Sequence, residues 1–565
     1  MKRSIVLALL CVGILGAPWA AYQVAVPSRP QTELSRLVPA GAVLYIQAND
    51  FSTLLADWDK SQQKSSWLGG KNFDVFSRSQ LFLRLKDAGV EFSSAAGVPT
   101  SSELLRQVAG KQTVFALYDI GKLQFLYITR LPSTDFTESA LWQTRSTFES
   151  RTAGGVNFFY RKDPDSGREV AFAVTGNYLL LATRADLLAG SLELLAGGQN
   201  SSLAEEPWWS RSVAAAGAPG DLRMIMNLDK IVPSPYFRSY WIEKNATEMS
   251  HYTAAITDLA RSAGEYREER TLLKKDAPES ADGSGETAVA DLERLVPASA
   301  GLYEANADPS PRDSAELLTS SILSPHQRPA TPQKLAPGFE LGNGETGSAT
   351  DLETRIDQPD SVSSQVGDRS LALQAVLAKN RVLAQLRVKR TDRDAAGVFV
   401  RIHSAVAFLG DSDWDQPAVK AALADFVRPD FTTRNMGLEW KTSAGSSELD
   451  GLWPLGIAVR GKYLLVSDDP VLLANMLDGM NRKTTAAPAV YAAGFDHQRE
   501  MENLAALTKL LDFEAHSGST SGSPEFFSDN IASLSSALKD ISSEKIVIRD
   551  TADGQTQTVV YAWAH

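Results

Sequence analysis

The sequence predicts an α+β protein made of two related modules of mixed, mainly antiparallel sheet with packed helices, following an N-terminal signal or anchor helix. Two pairs of matching windows and a recurrent strand–turn–strand–helix pattern predict it. Residues 33–50 read ELSRLVPAGAVLYIQAND and residues 291–308 read DLERLVPASAGLYEANAD, with ten of eighteen positions identical. Residues 173–189, AVTGNYLLLATRADLLA, and 458–474, AVRGKYLLVSDDPVLLA, share nine of seventeen. Both pairs are gapless and occur in the same order, the signature of internal duplication. The expected organisation is a leader at 1–32, one module at 33–275, a linker at 276–290 and a second module at 291–565, with 309–366 largely irregular.

Lys2 and Arg3 precede an apolar stretch from Ser4 to about Val26, the charged-then-apolar layout that export machinery reads. Its length approaches the ~20 residues that span a bilayer as a helix. No clean small-x-small cleavage site follows, and Trp19 and Tyr22 suit a membrane interface. An uncleaved anchor is therefore expected ahead of a cleaved peptide. Either way the body lies outside the cytoplasm, in the periplasm or another extracytoplasmic space. Cys11, the single cysteine of the 565 residues, lies inside this stretch, behind Leu10 where a lipidation signal needs a small residue. The body then has no internal disulfide and no thiolate metal site.

Within the first module, Pro39 is expected to start a strand through Tyr45, as Pro297 does for Tyr303, because an absent N–H does least harm there. Thr113–Asp119 and Leu123–Arg130 read as paired strands. Residues 134–151 read as a helix, and Val156–Lys162 with Arg168–Val174 as a hairpin around 163–167. Gly176 turns the chain into the strand 178–181, and Leu187, Leu188 and Leu192 then follow helical spacing. A strand at 222–228, a long helix at 239–263 and a closing strand at 265–274 complete the module. The second module repeats the turn at Gly461 and ends in a helix at 526–541 and strands at 545–549 and 556–563, joined by Asp553-Gly554.

The second pair of windows lies 27 residues further apart in the second module than in the first. Matching Gln107-Val108 to Gln365-Val366 and Arg130 to Arg390 places that excess between Arg390 and Ala458. The linker 276–290 is small and acidic, with too little apolar surface to fold. Segment 51–108 carries seven aromatics, whereas 309–366 carries Phe339 alone, so packing is expected to be lost in the latter and the segment exposed to proteolysis.

No motif carries chemistry. Gly342–Gly347 matches G-x-G-x-x-G but lacks a preceding strand and a following helix. Asp411-Ser412-Asp413-Trp414-Asp415 resembles the start of a calcium loop, yet Gln416 stands where glycine is needed and Ala422 where a bidentate glutamate is needed. Of the six histidines, His251 and His403 fall on expected helices, and His497 opens one; His326, His516 and His565 join no zinc spacing. Gly518–Gly522 has Thr520 where a nucleophilic serine would stand. The aromatic stretches Pro233–Trp241 and Pro207–Trp209 read as packing against the sheet. No catalytic, cofactor-binding or metal-binding residue is assigned, and no cofactor. A net charge of -12 without a basic run excludes nucleic acid as a partner.

Leu-Val-Pro-Ala-x-Ala-x-Leu-Tyr at Leu37–Tyr45 and Leu295–Tyr303, with Gly-x-Tyr-Leu-Leu at Gly176 and Gly461, resembles a bacterial family of exported proteins catalogued only as a domain of unknown function. The resemblance covers most of the chain after residue 32. It implies export and this architecture, and no catalytic residues. The resulting expectation is an envelope protein in a structural or interaction role, with an envelope partner or self-association and with the membrane reached through the N-terminal segment. The alternatives are a carrier of lipid or another apolar ligand between the modules, and a hydrolase whose site, involving His497 or the Asp411 loop, leaves no local motif.

Overall fold

The computed structural model describes residues 33–131, 139–235, 249–275, 283–323, 363–393, 400–431, 439–443, 445–449, 454–500, 503 and 541–563. The protein is mixed helix and strand, as expected of the α+β class. Its strands form one antiparallel sheet of twenty, with fourteen α-helices among the described residues.

The first ten strands are β1 (Leu44–Ala48), β2 (Thr113–Asp119), β3 (Gln124–Arg130), β4 (Glu149–Ala153), β5 (Val156–Lys162), β6 (Glu169–Thr175), β7 (Tyr178–Ala182), β8 (Leu222–Asn227), β9 (Tyr252–Arg261) and β10 (Glu265–Lys274). They lie side by side as β4-β5-β6-β7-β3-β2-β1-β8-β9-β10. The remainder are β11 (Leu302–Ala307), β12 (Val382–Arg393), β13 (Val400–Gly410), β14 (Trp440–Ser443), β15 (Ser446–Leu449), β16 (Leu455–Arg460), β17 (Tyr463–Ser467), β18 (Tyr491–Asp496), β19 (Ile541–Thr551) and β20 (Gly554–Trp563). Their order is β14-β15-β16-β17-β13-β12-β11-β18-β19-β20. β10 pairs with β20 and joins the two sets, so the sheet reads alike from both edges.

The matching windows fall at matching places. Tyr45 stands opposite Ala116 of β2 and Ile225 of β8; Tyr303 stands opposite Val388 of β12 and Gly494 of β18. Tyr178 opens β7 opposite Arg130, and Tyr463 opens β17 opposite Leu409. Gly176 and Gly461 take φ of 59° and 55°, which the first position of a two-residue hairpin turn requires. Tyr45 is buried edge-on against Trp209, with centroids 4.5 Å apart. The Leu187, Leu188 and Leu192 stripe of helix Ala185–Leu195 closes over the same face. Leu472, Leu473 and Met476 of helix Pro470–Gly479 do so in the second set.

Several expectations are corrected. Pro39 and Pro297 precede their strands in turns; Pro39 forms an isolated bridge to Ser202. Of the helix expected over 134–151, the described part, 139–151, contains only Ala140–Gln143 and a 3-10 turn before β4 begins at Glu149. Gly154 and Gly155, both at positive φ, close the β4–β5 hairpin instead. The long helix at 239–263 gives way to β9 over its last part. Tyr252, Thr253, Ile256 and Thr257 favour a strand, and β8 and β10 supply both edges. His251 therefore precedes a strand, and His403 lies within β13.

The unfolded linker does not extend to 290. Ser284–Glu293 is a helix because Ala288, Val289 and Leu292 bury one face. Pro311–Leu318 and the turn Thr319–Leu323 are likewise helical and packed, not irregular. The extra length is also spread differently: Tyr45 to Ala116 spans 71 positions and Tyr303 to Val388 spans 85, so 14 of the 27 additional residues precede Val388, ahead of Arg390. Arg390 lies within β12 and does not correspond to Arg130 at the end of β3. The leader expected at 1–32 with Cys11, the aromatics at 236–241, the helix expected at 526–541 except Ile541, which opens β19, Gly342–Gly347, Gly518–Gly522, His326, His516 and His565 lie outside the described residues. No helix among the described residues is long and apolar enough to cross a membrane.

The β10–β20 pairing has a specific weak point. Gly554 faces Leu273, and a Cβ there would run into the Leu272 carbonyl. Gly554→Val is expected to destabilise the protein by about 2 kcal/mol or more through forced backbone displacement, read as a lower urea midpoint. An unchanged midpoint would show that this junction contributes no stability.

Candidate functional site

The face of the sheet opposite Tyr45 carries the most distinctive feature. Between it and the helices of segment 51–108 lies an apolar cavity of about 800 Å³, within the ~300–1,000 Å³ usual for small-ligand sites. Its floor is sheet: Ile46 of β1, Phe115 and Leu117 of β2, Phe125 and Tyr127 of β3, and Leu181 of β7. Its roof is helix Gln80–Ala96, whose Leu85, Ala88, Gly89 and Phe92 recur at i, i+3, i+4 and i+7 and so share one face. Ala88 and Gly89 leave the roof without bulk at its middle. Leu104, Leu105 and Val108 of helix Ser102–Val108 form a side wall.

Polar contacts at the rim hold the roof away from the floor. Ser79 caps the start of helix Gln80–Ala96 by accepting from the Phe82 N–H at 3.2 Å, and Gly97 ends it at φ 69°. Ser94 Oγ donates to Asp163 at 2.9 Å and ties the helix to the β5–β6 hairpin. Hydrogen bonds from the Ser166 hydroxyl and N–H to Asp163 hold that carboxyl below the usual range. Arg168 donates to Glu91 and, at 2.6 Å, to the Lys122 carbonyl. Arg84 donates to the Gly121 carbonyl at 3.0 Å.

Of the six hydroxyls lining the cavity, five are already engaged; Thr100 donates to the Gly89 carbonyl at 3.1 Å and Ser101 accepts from the Leu104 N–H at 3.2 Å. Thr113 and Thr129 bond at 2.7 Å, Thr183 accepts from the Phe125 N–H at 2.9 Å, and Tyr127 donates to the Val108 carbonyl at 2.7 Å. Water therefore finds little to bond, the condition under which a cavity takes an apolar occupant. Leu85 and Leu105 line it yet are 48% and 39% exposed, so the cavity reaches solvent between their two helices.

The equivalent surface of the second set of strands is built otherwise. Ile46 stands opposite Phe115; at the same rung Glu304 stands opposite Arg387, and the two form an ion pair at 2.6 Å. Leu117 is answered by Lys389, opposite Leu302, whose amine pKa is lowered by burial and then by the Arg387 cation. Where the first set has an apolar floor, the second has charge.

The residues singled out from sequence do not converge. Asp411–Asp415 follows β13: Trp414 is buried against Phe408 and donates to the Lys462 carbonyl at 2.8 Å, while Asp415 accepts from the Ala418 N–H at 3.3 Å and caps helix Gln416–Phe431. His497 follows β18, buried, edge-on to Phe495 at 4.9 Å and 3.5 Å from Glu544. β12 and β11 separate those two strands in the sheet. Trp209 packs on Tyr45, as expected of the Pro207–Trp209 stretch.

A polar knot that the sequence did not indicate surrounds His403, whose ring nitrogens lie 3.7 Å from Asp392 and 3.8 Å from Asp468. Arg390 pairs with Asp392 at 2.7 Å and Asp469 at 2.8 Å, and Asp469 caps helix Pro470–Gly479. Through Asp469, Arg390 ties β12 to that helix. Sequence reasoning also missed the cavity. The stripe 85, 88, 89, 92 with two small residues was the available signal.

Burial pushes the Asp468 carboxyl up from 3.8 to about 6, against the Ser404 N–H that favours its ionised form. A carboxyl raised on folding keeps its proton in the native state over that interval. The stability it contributes is full below about 4 and is lost as pH rises through 6. The difference in urea midpoint between the wild type and Asp468→Asn is therefore expected to change across pH 4–6 and to level off above it; a difference constant with pH would refute the assignment.

No protein-family model and no curated protein matches this chain. Among solved structures, crystal forms I and III of TP0453 are similar at 12% and 11% identity, over 45% and 43% of this chain and 82% and 81% of theirs, with TM-scores of 0.23. At that score the likeness bears on neither fold nor role.

Proposed function

We propose that this is an exported protein of the cell envelope, descended from a duplicated ten-strand unit, whose N-terminal unit holds an apolar chain in the cavity beneath helix Gln80–Ala96. The cavity carries this reading. It is apolar, open at one side and floored by a sheet whose opposite face is fully packed. The carrier role thus belongs within the first unit, not between the two. Matching strand orders support descent from one unit, and the Glu304–Arg387 pair marks the second unit as the one that keeps the sheet without the site. The basic-then-apolar sequence from Lys2 to about Val26 supports export. The exposed Leu83 and Val90 on the roof helix favour a second reading, contact with an envelope partner or self-association.

The test is binding of dodecanol and its homologues to the full chain, followed by displacement of a fluorescent apolar probe. Affinity is expected to rise about fourfold per methylene, the ~0.8 kcal/mol that burying each contributes. Ile46→Glu combined with Phe115→Arg transplants the ion pair of the second unit onto the floor and is expected to weaken binding more than tenfold. Glu304→Gln should leave binding unchanged. Absence of saturable binding by the wild type would sink the proposal, and a stable complex recovered from solubilised envelope would favour the second reading.

A further inference from the structure

We infer that the ligand is an amphiphile with an anionic head, its chain in the cavity and its head in a polar recess that adjoins it. This rests on the chain-binding reading. The recess, about 470 Å³, shares Arg168 and Thr183 with the cavity, so one molecule can occupy both. Four cations and three carboxylates line it. The cations are Arg84, Lys122, Arg168 and Arg184; the carboxylates are Glu91, Glu169 and Asp186.

Their pairings leave positive charge over. Arg168, its side chain 10% exposed, is locked to Glu91 at 2.5 Å. Arg184 is held by Asp186. Glu169 accepts from the Ala185 N–H at 3.4 Å and lies 3.9 Å from Lys162. Arg84 makes one hydrogen bond to a carbonyl and comes only within 3.9 Å of Glu91, which Arg168 already engages. The Lys122 amine has no carboxylate within ion-pair distance among the described residues.

Arg84, only weakly paired, and Lys122 both come from the rim that holds the roof. Lys122 sits in the β2–β3 turn, and Arg84 one residue before the cavity-lining Leu85. A carboxylate or phosphate there gains two charge-assisted partners while its chain passes the Arg168 end into the apolar space. A cationic head would be repelled by Arg84 and Lys122.

The experiment compares four dodecyl compounds on the full chain at low salt: dodecanoate, dodecyl phosphate, dodecanol and dodecyltrimethylammonium. Either anion, or both, is expected to bind about fivefold tighter than the alcohol, with the cation weakest and the preference shrinking at high salt. The ratio of the two anions distinguishes a fatty-acid head from a phosphate head. Lys122→Gln, which keeps the Lys122 carbonyl bonded to Arg168 and leaves the Arg84 contact to the roof in place, is expected to lower the anion preference to about twofold, while dodecanol affinity stays the same and reports that the fold and cavity are intact. Equal binding of anion and alcohol by the wild type, tighter binding of the cation, or an unchanged preference in the Lys122 variant would overturn the inference and leave chain binding standing. Failure of all four compounds to bind would instead remove the reading beneath it.

Discussion

One register governs this protein: that of β1 between β2 and β8. Alternation along a strand sends Tyr45 to one face and Ile46 to the other. The first becomes the centre of a dry core against Trp209, and the second the floor of a cavity. A slip of one residue would exchange them, placing a tyrosine in the cavity and an isoleucine under the helix Ala185–Leu195. The packed face specifies the register strongly, and the other face inherits it. The site is therefore positioned by residues that never touch it.

The two halves of the sheet show how one scaffold can bear different surfaces. Backbone pairing takes no notice of side chains on the free face, so a rung can carry Ile46 and Phe115 in one set and Glu304 and Arg387 in the other without altering strand order. A half-buried pair such as Glu304–Arg387 adds modest stability. Its larger consequence is to make that face unfit for an apolar occupant.

The roof helix illustrates a second economy. Its ends and rim are fixed by capping and by polar contacts to the β2–β3 turn and the β5–β6 hairpin, while its inward stripe contributes Ala88 and Gly89. Well-packed interiors leave few voids larger than a water molecule. A large apolar space held open by engaged polar contacts is thus a built feature, and it borders a recess where cations outnumber carboxylates.

Much of the fold was legible in the sequence. The repeated windows lie at equivalent rungs, and the hairpins at 113–130, 156–175 and 545–563 follow from alternation and turn residues. Local pattern misjudged 252–261 as helix and 284–290 as unfolded, because the strand at 252 depends on two partners distant in sequence and the helix at 284 on a sheet face to bury against. The contrast between an aromatic-rich 51–108 and an aromatic-poor 309–366 was visible too, but not its meaning. A cavity is a relation among surfaces brought together from strands and helices distant in sequence, and the stripe 85, 88, 89, 92 looks from sequence like any helix packed on a core. Composition and periodicity determined which residues turn inward. Whether the inward side is filled or left open was decided only by the distance at which the tertiary contacts hold the helix from the sheet.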